Sequence, residues 1–336
     1  MEGAVMPHLS RSTTTDRIEP ELAALWRELV GQGPVARAVM SNLIVFRQCG
    51  EDDRTAAVDA SAAMLIEEVA ARHPCRLIVL DHQRNPPRSG EPFAVTIGVL
   101  TFGPERARYG IERIAVRSAC AEVQLPSIVR HVVRGDVPTS VWWMEDLSRV
   151  PALDAIVRMG RQFVYDSRSW RDLKRGMAAA AALAGARQRL DVADLNWRRL
   201  TPLRQALLHA CAFMRADDIC RGPLRIVHRP EDGALAWLCV GWLRSRRQMP
   251  REVQLAIEAE ERGDAVLLVE AGTGQAKLTA RLDSHQVVVT LPGDAPPLTV
   301  AVPRESDAHA VAAELRTLSQ DAALQAAIAT ATLWLQ

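Results

Sequence analysis

The hydrophobic and polar positions in the first half of the chain follow two periods, which predict strands interleaved with amphipathic helices. In residues 54–72 apolar side chains recur every three or four positions, as on one helix face, whereas 42–47 is a short apolar run typical of a buried strand. The pattern predicts helices over 19–30, 54–72, 122–134 and 152–160, and strands over 42–47, 76–81, 93–102, 111–119, 139–144 and 162–166. This order of elements favours a mixed sheet that helices cover.

The second half of the chain has a different pattern, in which polar and apolar residues alternate along short segments. These segments predict strands over 253–258, 265–270, 275–282, 286–291 and 298–302. Short turns join them, which favours an antiparallel meander. Helices are predicted before the meander, over 202–215 and 234–247, and after it, over 306–318 and 320–334.

Together the two patterns predict an α+β protein of two domains. A chain of 336 residues is too long for one ordinary core. The polar residues 1–16 predict a disordered tail. We expect an α/β-like N-terminal domain with a mixed sheet over 17–190, including an Ala-rich helical connector, and a C-terminal domain with helices and a meander over 191–336.

Composition narrows the classes of function. The formal net charge of +1 argues against a chain built mainly to hold nucleic acid or a membrane surface. The N-terminus lacks a charged start followed by an apolar run, and no apolar stretch reaches the ~18 residues of a membrane span. The six cysteines include no C-x-x-C pair, which fits reduced thiols. The sequence therefore predicts a cytoplasmic protein.

The motifs of common active sites do not occur. A strand–helix alternation invites a nucleotide site, but the turn 48–53 carries one glycine and three carboxylates, which would repel a pyrophosphate. Gly272 and Gly274 lie between two predicted strands, so a hairpin turn is the favoured interpretation. Asp81 and His82 at a strand end fit an acid–base pair or, as we favour, a polar strand terminus. We expect no catalytic residue, no cofactor and no metal site.

Two adjacent tryptophans lie on one predicted strand. Trp142 and Trp143 point to opposite faces of the sheet, because side chains alternate along a strand. Either both rings belong to the core, which we favour since Trp is highly buried on average, or one of them anchors an interface with another protein. In the second interpretation Trp143 is a candidate partner-binding residue.

A third tryptophan comes with arginines at the start of a helix. The apolar face of this helix is set by Leu203 and Leu207, so the nearby arginines cannot all turn inward. Some of their guanidinium groups therefore face solvent, a partner or a phosphate. The candidate partner-binding residues of this group are Trp197, Arg198, Arg199 and Arg204.

Five segments along the chain carry recognisable motifs. The most informative is DLNWRRLTPLR at 194–204. The others are HPCR at 73–76; LPS, GDVP and WW at 125–127, 135–138 and 142–143; DS at 166–167; and the GWL-x-x-R pattern of LCVGWLRSR at 238–246. In this order the segments resemble the motifs of the bacterial glucose-6-phosphate dehydrogenase assembly protein family, with Cys75 in place of the usual Ser and Leu203 where many relatives carry a second Trp.

The resemblance implies a function by binding rather than by chemistry. Members of that family act as assembly factors or allosteric activators of glucose-6-phosphate dehydrogenase, the entry step of the oxidative pentose phosphate pathway. The resemblance therefore implies a non-enzyme whose partner is this dehydrogenase, and which shifts the dehydrogenase toward its active form by differential affinity. The alternative is an α/β enzyme that binds a sugar phosphate or a nucleotide. Binding to nucleic acid through the arginines is disfavoured by the near-neutral charge.

Overall fold

The computed structural model describes residues 9–49, 53–83, 93–118, 124–185, 190–212, 222–247, 253–261, 265–272, 277–293 and 295–335. In these residues the chain forms two sheets with helices packed on them, which confirms the α+β class. None of the helices in these ranges is both long and apolar enough to cross a membrane.

The first sheet is mixed, as predicted. Its strands are β1 (Leu9–Thr13), β2 (Ala36–Arg37), β3 (Ser41–Cys49), β4 (Cys75–Gln83), β5 (Phe93–Phe102), β6 (Tyr109–Ser118), β7 (Thr139–Trp143), β8 (Gln162–Tyr165) and β9 (Asp191–Asp194). Their order is β1-β5-β6-β4-β3-β7-β8-β9, with β2 paired to the start of β6. In this order, the neighbouring strands β6, β4, β3, β7, β8 and β9 are all parallel to one another. Strand β5 is antiparallel to β6, and β1 is antiparallel to β5.

Helices cover both faces of this sheet, which explains why its central strands are apolar on both sides. The helices of this part are α1 (Ile18–Gln32), α2 (Asp53–Arg72), α3 (Leu125–Val132), α4 (Asp154–Val157) and α5 (Leu173–Gly185). On one face Val69 of α2 shares a core with Val45 of β3. On the other, side chains of α1, α3, α4 and α5 share a core with Phe46 and Phe163.

The second sheet follows two short helices, α6 (Leu195–Arg199) and α7 (Thr201–Cys211). It contains β10 (Leu224–His228), β11 (Leu255–Ala259), β12 (Leu267–Ala271), β13 (Leu278–Leu282), β14 (Gln286–Thr290) and β15 (Leu298–Ala301), with α8 (Gly233–Arg247) between β10 and β11. The predicted antiparallel meander is confirmed for β12 to β15. β10 lies between β12, to which it is antiparallel, and β11, to which it is parallel. The predicted strand 253–258, which corresponds to β11, is therefore not part of the meander, because β10 separates it from β12.

The last two helices return to elements of the first half. α9 (Asp307–Arg316) packs beside α2, and its Val311 and Leu315 enter the core on that face of the first sheet. α10 (Ala322–Trp334) packs against α8 and α5. The domain boundary at 190 stays a prediction, and strand β9, which follows it, pairs with β8 in the first sheet.

Two parts of the sequence interpretation need correction. The predicted disordered tail does not include residues 9–13, because they form β1 and pair with β5; residues 1–8 lie outside the described ranges. Strands β2, β9 and β10 were not predicted. The turns at 50–52 and 273–276 also lie outside the described residues.

Candidate functional site

Two of the motif segments meet at one edge of the first sheet. Strands β8 and β9 are parallel neighbours, so the residues at and just after their carboxyl ends, 166–167 and 194–199, lie side by side. Asp194 is 1% exposed, and its Oδ1 accepts hydrogen bonds from the backbone N–H of Asn196 at 2.9 Å and of Ser167 at 3.1 Å. Asn196 Nδ2 in turn donates to Ser167 Oγ at 3.0 Å. Asp194 therefore caps α6 and fastens it to the end of β8.

Arg199 completes this arrangement, which we call the junction: Asp166, Ser167, Asp194, Asn196 and Arg199. Its two terminal nitrogens donate to the two carboxylate oxygens of Asp166 at 2.7 and 2.9 Å, a bidentate pair. It also donates to Asp307 at 3.1 Å. Burial lowers the pKa of Arg199, but the hydrogen bonds and charges of Asp166 and Asp307 outweigh it and raise the pKa above its ordinary value. The guanidinium is therefore charged and held from both sides.

Arg198 points to a second set of acidic partners. It donates to both oxygens of Glu305, at 2.7 and 2.9 Å, and to Glu314 at 3.1 Å. Glu305 precedes α9 and Glu314 lies within it, so Arg198 ties α6 to the helix that covers the first sheet. The half-buried Arg198 therefore has an internal structural role, whatever further contacts its exposed side makes.

Trp197 and Arg204 form a stacked pair beside the junction. Trp197 is 5% exposed, and its Nε1 donates to Asp321 Oδ2 at 2.6 Å. The guanidinium of Arg204 lies 3.7 Å from the centre of the Trp197 ring, and its Nη2 donates to Thr201 Oγ1 at 2.9 Å. Because the ring is buried and Arg204 covers it, Trp197 exposes little surface to a partner, and its role in partner binding stays a prediction.

The two adjacent tryptophans occupy opposite faces of the first sheet, as predicted. Trp142 belongs to the core under α2 and α9. Trp143 is 1% exposed, stacks on Phe46 with ring centres 4.0 Å apart, and donates from Nε1 to the carbonyl of Val150 at 3.2 Å. The proposal of Trp143 as a partner-binding residue is therefore corrected, because a strand buried on both sheet faces leaves neither ring at the surface.

Electrostatics at the junction centre on Asp194. Burial, and then the negative charge of Asp166, raise the pKa of Asp194 to about 7, although hydrogen bonds from Ser167 and Asn196 act in the opposite direction. Burial also raises the pKa of the neighbouring Tyr165 phenol. Across the described ranges, no three His, Cys, Asp or Glu side chains are placed to hold a metal ion. The junction can thus hold a proton near neutral pH and fix helix positions.

The remaining motif segments also make structural contacts. At the amino-terminal ends of the parallel strands, His73 Nε2 lies 2.8 Å from Ser41 Oγ, and Arg76 is paired with Glu19 and the buried Glu112. Near their carboxyl-terminal ends, Asp81 forms an ion pair with Arg47. This ion pair favours the polar strand terminus over the acid–base pair for 81–82.

The acidic partners of the arginines could not be predicted from the sequence. Glu305, Asp307, Glu314 and Asp321 lie more than one hundred residues downstream of the arginine and tryptophan side chains that they contact. Asp307 and Asp321 occupy the first turn and the N-cap of predicted helices, which was the available signal that they are fixed in space. Nothing in the local pattern indicates which cation they meet.

A surface cleft of about 800 Å³ opens next to the junction. It lies between the start of α7 and residues 301–307, and both Arg198 and Arg199 line it. Two further lining arginines, Arg168 and Arg304, are exposed. Arg304 forms neither a hydrogen bond nor an ion pair with any described residue, so its charge is free to meet another molecule.

Known proteins match the chain in two successive parts. Residues 66–182 match the Glucose-6-phosphate dehydrogenase subunit N-terminal domain of OpcA, and residues 190–328 match the corresponding C-terminal domain. A curated protein of Nostoc punctiforme, provisionally described as the OxPP cycle protein OpcA, is 23% identical over 248 residues, which cover 68% of this chain and 52% of that protein. The chain thus spans about half the length of this curated relative.

Solved structures show only distant likeness. The super-repressor mutant of Gal80p from Saccharomyces cerevisiae is 8% identical with a TM-score of 0.41, over 81% of this chain and 83% of that one. An NAD binding oxidoreductase from Klebsiella pneumoniae is 9% identical with a TM-score of 0.35, over 88% and 95%. At such low TM-scores these likenesses support no statement about function.

Proposed function

The chain belongs to the OpcA family of glucose-6-phosphate dehydrogenase subunits, and we propose that it is a non-catalytic subunit that binds this dehydrogenase and favours its active form. The observation that carries the proposal is the match of both family domains, in order, over 66–182 and 190–328. The motif residues support it, since Asp166, Asp194 and Arg199 hold helices together instead of facing a substrate.

The mechanism is a shift of conformational populations. A protein that binds one form of an enzyme more tightly moves the enzyme toward that form, by the difference between its two affinities. No chemical step on this chain is required. We therefore expect the isolated protein to turn over neither glucose 6-phosphate nor NADP, and to need no cofactor of its own.

We place the contact with the dehydrogenase at the cleft beside the junction. Of the five partner-binding residues suggested by the sequence, Arg198 and Arg199 line this cleft, whereas Trp143, Trp197 and Arg204 do not. The exposed Arg168 and Arg304 add positive charge at its rim. Glu305 and Asp307 also line the cleft, but they are paired with Arg198 and Arg199, so Arg168 and Arg304 leave the lining net positive. Such a surface fits an acidic segment of the partner, because arginine pairs bidentately with carboxylates and rim charges steer association.

The proposal is tested with the purified dehydrogenase of the same organism. We expect the two proteins to co-elute at micromolar concentrations, and the complex to show a lower KM for glucose 6-phosphate or a higher kcat than the dehydrogenase alone. Unchanged kinetics together with separate elution contradict the function.

Variants of the two exposed arginines at the rim test the surface separately. The double variant Arg168→Glu and Arg304→Glu should raise the Kd of the complex about tenfold or more, and so reduce co-elution, since each charge reversal at an interface costs about 1 kcal/mol or more. The matched control is Arg175→Glu, on α5, whose side chain is 78% exposed and which does not line the cleft. If the double variant binds as the wild type does while wild-type binding is intact, the cleft is the wrong surface and the function stands.

A further inference from the structure

A second cavity, of about 510 Å³, lies between β9 and the segment that joins α9 to α10. Its volume is within the range of pockets that hold small molecules. It is lined by side chains of both signs and lies behind Trp197, which the proposed partner surface does not use. Motif segment 194–204 contributes Arg198 and Arg204 to its lining, and segment 238–246 contributes Arg246. Arg198 is already held by Glu305 and Glu314, whereas the other two arginines are not paired with a carboxylate of the described residues.

Those two arginines, Arg204 and Arg246, have spare hydrogen-bond donors. Arg204 uses Nη2 for its hydrogen bonds to Thr201 Oγ1 and the carbonyl of Trp197, whereas its Nη1 and its enclosed Nε have no hydrogen-bond partner among the described residues. Arg246 is exposed and forms no hydrogen bond or ion pair with any residue in the described ranges. Burial lowers the pKa of Arg204, and the charge of Arg246 lowers it further, against the opposing effect of Asp321. Two like charges are therefore held close enough to repel each other.

The nearby carboxylate of Asp321 does not take up these donors. Its Oδ2 accepts from Trp197 Nε1 at 2.6 Å, and its Oδ1 accepts from the backbone N–H groups of Ala323 and Leu324 at 2.9 and 3.0 Å. Both oxygens thus serve the buried ring and the start of α10. The spare donors of Arg204 and Arg246 suit an anion from outside the chain, and a phosphate matches the arginine fork.

Another part of the lining carries acceptors. Asp191 is 5% exposed, and its Oδ2 has no hydrogen-bond partner; Arg161 Nε approaches it only to 3.9 Å. Strand β9 is the last strand of its sheet, and an edge strand carries backbone N–H and C=O groups that no neighbouring strand takes. These groups and the Asp191 carboxylate match hydroxyl groups, which both donate and accept.

We propose that this cavity binds a sugar phosphate, with the phosphate on Arg204 and Arg246 and hydroxyl groups on Asp191 and the edge of β9. A nucleotide fits less well, because its base needs an aromatic face on which to stack. Trp197 is the aromatic side chain among the described lining residues, and Arg204 already covers its ring. The proposal concerns the chain alone and does not rest on the proposed function.

Isothermal titration of the full chain, without the dehydrogenase, tests the proposal. The probes are glucose 6-phosphate, inorganic phosphate, glucose and AMP. We expect glucose 6-phosphate to bind with a Kd below about 1 mM, phosphate to bind more weakly, and glucose not to bind measurably. No heat from glucose 6-phosphate up to about ten times that concentration overturns the proposal, and tighter binding of AMP overturns the ligand class.

Two variants locate the site. Arg246→Gln should lower the affinity for glucose 6-phosphate about tenfold, since a charge-assisted hydrogen bond contributes about 1.5 kcal/mol or more. We expect this variant to fold normally, because Arg246 has no described internal partner. Asp191→Asn should lower the affinity for glucose 6-phosphate but leave the affinity for inorganic phosphate unchanged. The exposed Arg175→Gln is the matched control. Equal affinity of Arg246→Gln and wild type overturns the assignment to this cavity.

Discussion

At the scale of single residues, the ion pairs of Arg199 should contribute to the stability of the fold. Arg199 is fixed by two carboxylates, so Arg199→Glu would place a third carboxylate against Asp166 and Asp307. We expect a loss of about 1.5–3 kcal/mol in the free energy of unfolding, the range for hydrogen bonds to charged groups. Urea denaturation measures it, with Arg304→Glu as the control that lacks a described partner. Equal midpoints of the two variants would contradict the structural role of Arg199.

The ring of Trp143 should contribute to stability as a core side chain. Trp143→Ala should reduce the free energy of unfolding by about 3–5 kcal/mol, as truncation of core aromatics does, because the ring stacks between Phe46 and Phe163. Trp143→Phe should lose less, since it keeps the stacking and gives up the hydrogen bond to Val150. Thermal or urea denaturation measures both. A loss below about 1 kcal/mol in Trp143→Ala would place the ring outside the core.

The buried carboxyl of Asp194 makes stability depend on pH. Its folded pKa of about 7 lies above the ~3.9 of an unfolded chain, so between these values the folded state holds a proton that the unfolded state has lost. The contribution of Asp194 to stability is therefore full below about pH 4 and is lost as the pH rises to 7. Asp194→Asn, which keeps the cap, should flatten this part of the curve. Parallel stability curves of the two proteins from pH 5 to 8 would contradict the shift.

At the scale of elements, a close contact between two helices lies within the 238–246 motif. A Cβ on Gly241 of α8 would collide with the carbonyl oxygen of Ala327 on α10. Gly241→Ala should therefore cost about 1–3 kcal/mol, as overpacking does. Gly31→Ala, also in a helix but with open space around the new Cβ, should be neutral or stabilising. The denaturation midpoints of the two variants measure this difference. A midpoint of Gly241→Ala equal to that of the wild type would mean that the two helices can move apart freely.

The elements that the sequence predicts well are those with a clear period of apolar residues. The strand at 93–102 was predicted with its observed bounds, and the helix 54–72 differs by one residue at its start. Strand β9 escaped prediction because Asp191 and Asp194 remove any apolar period from its four residues. The apolar stripe of α9 was visible, but not the sheet on which it packs. The junction was out of reach because its acidic partners are distant in sequence.

At the scale of the whole molecule, the two sheets share one continuous core. Phe163 of the first sheet and Ile226 of the second belong to the same cluster of buried residues. α9 covers part of the other face of the first sheet, where Val311 packs with Trp142 and Val45. Residues from the end of the chain are thus part of the packing of strands near its start, and the two halves stabilise each other.

This shared packing leads to a last expectation, about fragments cut at the predicted boundary. A fragment 1–190 lacks β9 and α9, so it exposes the apolar face that contains Trp142 and Val164. We expect it to bind a hydrophobic dye and to lack a cooperative thermal transition, whereas the full chain unfolds in one transition. Adding the fragment 191–336 should reduce dye binding if the halves reassociate. A cooperative transition in the isolated 1–190 fragment would show instead that the first sheet folds alone and that α9 only docks on it.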